Sequence, residues 1–144
     1  MLKNRLNFLI TYFFFLGKVN YCKKRINNKN FNKIFLNKKN ILLKIDIEGS
    51  EYRILDEIIK IQNKLEGLIV EFHEVHLNIY KIKKFVKRLK LQLIHIHGNN
   101  FCKLDKFNDP TALELTFEKN PSILGSNSKI PNFLDNPNNK KKMI

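Results

Sequence analysis

Acidic residues are missing from the first 44 positions, which hold eleven Lys/Arg and no Asp or Glu. Glycine is scarce as well. Gly17, Gly49, Gly67, Gly98 and Gly125 are the five present, and no two are close enough to form G-x-G. The chain therefore carries no glycine-rich cofactor loop. Its two cysteines, Cys22 and Cys102, make neither a disulfide framework nor a C-x-x-C spacing. They read as unpaired core or surface thiols and point to a reducing, cytoplasmic setting. No apolar run reaches the ~20 residues that a transmembrane helix needs. The strongest run, NFLITYFFFLGKV at positions 7–19, follows Lys3 and Arg5 as a signal peptide would, but no small-x-small cleavage pattern follows Leu16. It is expected to pack on the core as helix or strand. A peripheral membrane contact through residues 8–16 is the alternative.

The 144 residues suffice for one domain with a real core. The formal charge of +14 is concentrated at the ends. Residues 45–118 carry eleven Lys/Arg against twelve acids, and residues 119–144 carry five Lys and one Asp. Asn, Lys and Ile are over-used and Ala112 is the only alanine. Such a bias fits an AT-rich genome, which enriches lysine wherever it is tolerated, so most of the charge requires no ligand. Few aromatics are interleaved with the basic runs and no base-reading motif is visible, which argues against nucleic acid as a partner.

Three parts follow from composition. Residues 1–40 form a basic and apolar N-terminal segment, in which positions 23–40 read as a polar loop or weak helix. Residues 41–119 form the core domain. Residues 120–144, with Pro121, Pro131, Pro137, many Asn and Lys140–Lys142, bury too little apolar surface to order themselves and read as a tail.

Within the core domain, strand and helix patterns alternate. Positions 41–46, ILLKID, read as a strand. Ile54, Leu55, Ile58 and Ile59 share a helical face, with Arg53, Asp56, Glu57 and Lys60 outside it, Ser50 as the cap and Glu51 in the first turn. Positions 67–73 form a second strand, 76–89 a second helix with Ile79, Ile82, Phe85, Val86 and Leu89 inward, 91–97 a third strand and 111–119 a fourth. Strand–helix–strand–helix–strand order predicts an α/β fold with right-handed crossovers and a mainly parallel sheet. The last two strands have no helix between them and are expected to form a terminal antiparallel pair.

Chemistry in an open α/β sheet sits beyond the carboxyl ends of the strands. Asp46 and Glu48 stand where the first strand leaves the sheet, Gly49 permits a tight turn, and residues two apart in a strand share a face. Glu71 with His73, and His95 with His97, repeat that spacing on the next two strands. A rim of solvated polar groups and a polar pocket are both consistent with this. A divalent metal held by carboxylate and imidazole is a further option, but no compact motif such as H-E-x-x-H is present and no metal site is assigned. His95 reads as a core or rim histidine, His76 as the start of a helix, and Tyr52 and Phe72 as packing residues.

LLKIDIEGSEYRIL, Leu42 to Leu55, resembles the signature of the FkbM family of S-adenosylmethionine-dependent methyltransferases. There a strand ending K-x-D-x-E-G-x-E runs into a helix. Lys44, Asp46, Glu48, Gly49 and Glu51 are the matching positions, and Ser50 stands where alanine is commoner. GLIVEFH fits that family's next strand, and LIHIHGNN and ALELTF its final antiparallel pair. The resemblance spans about Ile41 to Lys119. It implies a partial Rossmann-like methyltransferase fold and S-adenosylmethionine as cofactor. It also implies O-methylation of a hydroxyl on a small molecule or glycan acceptor. Asp46 and Glu48 are then the catalytic candidates, with Glu71, His73 and His97 lining the acceptor site.

The family's cofactor loop and the strands that carry it have no counterpart here. Three further βα units need on the order of 90 residues, at ~30 each, and only 40 precede Ile41. The resemblance thus implies the C-terminal half of such an enzyme, inactive alone. Its first strand becomes a sheet edge, which the N-terminal apolar segment, a missing half or a second copy of the chain is expected to cover.

Overall fold

The computed structural model describes residues 23–122 together with Asp135. The apolar stretch 8–16, Cys22 and nearly all of the tail lie outside the described residues, and with them the expectations of core packing, membrane contact and a disordered terminus.

A short helix α1 (Phe31–Ile34) precedes strand β1 (Ile41–Ile45). A 3-10 turn (Glu51–Arg53) leads into α2 (Leu55–Ile61), and a second (Gln62–Lys64) into β2 (Leu65–Phe72). Helix α3 (Val75–Arg88) and strands β3 (Gln92–Gly98) and β4 (Leu113–Glu118) complete the series. No helix among the described residues is long and apolar enough to cross a membrane.

The strands form one open sheet in the order β1-β2-β4-β3. β1 and β2 pair in parallel, and β4 runs antiparallel to both β2 and β3. The expected antiparallel pairing of the last two strands is present. The expectation of a mainly parallel sheet is not met, because one ladder of three is parallel. The reason is the position of β4. β1, β2 and β3 run the same way, as helical crossovers require, but β4 returns from β3 and inserts between it and β2. Two ladders that would have been one parallel contact thereby become antiparallel.

Alternation along the strands defines two unlike faces. Leu68, Val70 and Phe72 of β2 and Leu115 and Phe117 of β4 are buried, and the buried side chains of all three helices join them in one cluster. Tyr52, Phe72, Phe85 and Phe117 form a chain of rings with centroids 5.7, 6.2 and 6.3 Å apart. Each buried aromatic contributes ~1.5–3 kcal/mol relative to exposure. The opposite face presents Lys44, Ile69, Glu71, Glu114, Thr116, His95 and His97, none of them fully buried. Lys44 and Glu114 pair across it at 3.0 Å.

Helix positions depart from expectation in four places. Ser50 makes no capping hydrogen bond, and the α-helix proper starts five residues later at Leu55. Glu57 was expected outside but is buried beneath α1, where Asn32 donates to Oε2 and Lys60 donates to Oε1 at 2.7 Å. Phe31 and Phe35 dock that segment with rings 5.1 Å apart, so part of the polar-looking stretch 23–40 belongs to the core. On α3 the buried stripe is Val75, Ile82 and Phe85, continued by Leu89. Ile79 falls at its margin and stays exposed.

Candidate active site

β1 ends at Ile45, and the chain must reverse onto the core face within five residues. It does so through two successive left-handed residues, Glu48 at φ 53° and Gly49 at φ 87°. Glycine tolerates that region without a Cβ penalty; for glutamate it costs roughly 1 kcal/mol. The turn leaves backbone amides pointing inward, and Glu51 supplies their acceptor. Its Oε1 accepts from Ile47 N at 3.1 Å and from Gly49 N at 3.2 Å. The side chain is fully buried, and Oε2 has no hydrogen-bond partner among the described residues. The last glutamate of D-x-E-G-x-E therefore folds back and holds the turn that precedes it.

The neighbouring strand brings the imidazole. β2 ends at Phe72, and Glu74, again left-handed at φ 50°, starts α3. His73 stands between them. Its Nδ1 lies 3.1 Å from Glu51 Oε1 and its Nε2 lies 3.4 Å from Glu48 Oε2. Glu51 thus holds one ring nitrogen, and the other faces the exposed Glu48. The Tyr52 hydroxyl donates to the His73 carbonyl at 2.5 Å, which fixes the backbone as well. Asp46 completes the group, since one ligand-type atom from each of Asp46, Glu51 and His73 lies within 4.8 Å of the other two. Carboxylate–imidazole–carboxylate order is suited to accepting a proton from a bound hydroxyl, or to holding a divalent cation.

Burial first, then the nearby Glu51 and Glu74 carboxyls, pushes the Tyr52 hydroxyl from 10.0 up to about 12. The folded chain keeps this proton after the unfolded chain has lost it. Its contribution to stability is complete below about pH 10 and is lost as pH rises through about 12. Urea unfolding followed across that window should show an alkaline loss that Tyr52→Phe removes. An unchanged loss in the variant would assign it elsewhere.

Of the residues singled out in the sequence, Asp46, Glu48 and His73 come together. Glu71 and His97 do not join them. They lie on the helix-free face, in register with Glu114 between them. Glu71 Oε1 accepts from Asn99 at 2.6 Å, and His97 Nδ1 lies 3.2 Å from Asp135 Oδ1. Sequence reasoning missed the central role of Glu51, treating it as a helix-dipole residue. The available signal was its place five residues after Asp46, across a turn whose amides need an acceptor.

No protein-family profile, curated protein or solved structure matches the chain.

Proposed function

We propose that the chain is the acceptor-side part of an FkbM-like O-methyltransferase acting on a hydroxyl of a sugar or other natural product. His73 takes the hydroxyl proton, Glu51 positions the imidazole, and Asp46 and Glu48 orient the acceptor. The observation that carries this reading is the buried Glu51 carboxyl, bonded at once to the turn after β1 and to His73 after β2. It ties the K-x-D-x-E-G-x-E resemblance to a cluster at the carboxyl ends of two parallel strands. A mouth lined by acids also suits a hydroxyl-rich acceptor, since carboxylates accept several such donors and repel anions.

The methyl donor, S-adenosylmethionine, does not fit the described residues alone. Of the glycines among them, Gly67 is filled by Leu42 Cδ1, 2.8 Å from where a Cβ would stand, and Gly98 packs on Pro110 at 3.0 Å. Gly49 belongs to the Glu51 turn. None forms a cofactor cradle. In this reading the donor is held by a second wall that pairs with the outer edge of β1, which no described strand occupies.

The test is calorimetric titration with S-adenosylmethionine, paired with an assay of label transfer to hydroxylated acceptors. Both are run on the chain alone and mixed with a polypeptide carrying the glycine-rich half of an FkbM enzyme. Binding and transfer are expected only in the mixture. Tight binding by the chain alone would overturn the division into two walls. Silence in both settings would overturn the methyl-transfer reading itself.

A further inference from the structure

The helix-free face holds a second convergence of ligating side chains, unrelated to the Glu51 turn. β3 contains an irregularity. Leu93 is in register with Phe117 of the buried face, the next paired residue is His95 with Thr116, and Ile94 has no partner. That extra residue reverses the alternation. Without it His95 and His97 would lie on the side of Leu93 and Phe117, the face that the helices cover. With it Ile96 pairs with Leu115 on the core side, and both histidines project from the opposite face.

There they meet Asp135, some 40 residues further along the chain. Its Oδ1 lies 2.8 Å from His95 Nε2 and 3.2 Å from His97 Nδ1, and its side chain is 9% exposed. One ligand atom from each of the three lies within 4.8 Å of the others. Ligands bound to a central ion at ~2.1 Å stand roughly 3.0 Å apart in octahedral geometry and roughly 3.4 Å apart in tetrahedral geometry. The two measured separations fall about that range. Two imidazoles and one carboxyl form a borderline donor set. It suits Zn²⁺ and its first-row neighbours rather than Mg²⁺ or Ca²⁺, which take oxygen shells.

We propose that His95, His97 and Asp135 form a binding site for a divalent transition ion, Zn²⁺ foremost, which fastens residue 135 to β3. Three protein ligands leave a fourth position for water or a further ligand.

Full-length chain stripped with chelator is titrated with Zn²⁺ by calorimetry and with Co²⁺ by visible absorption. One equivalent is expected to bind with a tetrahedral or five-coordinate Co²⁺ spectrum. His95→Gln, His97→Gln and Asp135→Asn should each weaken binding by roughly tenfold or more. Folding of each variant is checked by circular dichroism. Shifts of the His95 and His97 ring signals on Zn²⁺ addition, read by NMR on the unaltered chain, avoid dependence on the variants. His73→Gln serves as the control and should leave this equivalent in place. The inference is overturned if His73→Gln abolishes binding while the three β3-side variants do not. Binding by all four variants with unchanged affinity, or no binding at micromolar Zn²⁺, would overturn it equally.

Discussion

Alanine at position 51 is expected to lower the free energy of unfolding by ~3 kcal/mol, although Glu51 is a charged residue type in an apolar setting. Burying a carboxyl is unfavourable in itself. What makes it stabilising here is the set of donors it satisfies. Ile47 N, Gly49 N and the His73 ring all converge on Oε1. Truncation leaves these groups without their acceptor and removes a fully buried side chain. Glu51→Gln keeps one oxygen as acceptor but puts an amide NH2 at the buried position that has no partner, so its cost should be smaller than that of alanine, at about 1–2 kcal/mol. Urea unfolding midpoints of the two variants give the comparison. Equal stability of wild type and Glu51→Ala would mean that the turn does not depend on this side chain.

His73→Asn is expected to act on chemistry instead. Under the proposed function, loss of a general base lowers methyl transfer by the reconstituted enzyme by about 10²-fold or more. Stability should fall by less than in Glu51→Ala, because Ile47 N and Gly49 N still reach Glu51 Oε1 and the Tyr52 hydroxyl bonds to the backbone carbonyl of residue 73. Under the same proposal, in which the exposed Asp46 orients the acceptor, Asp46→Asn should raise KM more than it lowers kcat. If His73→Asn retains full turnover in an active mixture, the imidazole is not the base and the role passes to Asp46 or Glu48.

Much of the local structure was legible because it depends on neighbours in sequence. Ile54, Leu55 and Ile58 mark the face of α2 by their spacing, and Leu68, Val70 and Phe72 mark β2. The strand-end position of Asp46 followed from a β-branched run stopping at a Gly-containing turn. Glu57 was not legible, because its burial is imposed by α1 from 25 residues earlier through Asn32. The start of α2 was misjudged for a related reason. Ser50 is a good cap by type, but the Glu51 side chain is committed to the turn amides, and a 3-10 turn intervenes before the helix. The pairing of Asp46, Glu48 and His73 was half visible, as polar residues at successive strand ends. The contacts that join them required the register of β1 against β2.

Composition and periodicity by themselves determined that this chain builds alternating strands and helices with acids at a strand end, since these are consequences of side-chain chemistry within a few residues. Only the tertiary structure decided that β4 slips between β2 and β3, that the extra residue Ile94 turns two histidines off the core, and that Glu51 rather than Glu48 is the carboxyl buried at the turn after β1. Each of those outcomes depends on backbone hydrogen bonds between segments tens of residues apart. A single-residue change in such pairing moves a side chain to the other face of the sheet, and no local pattern carries that information.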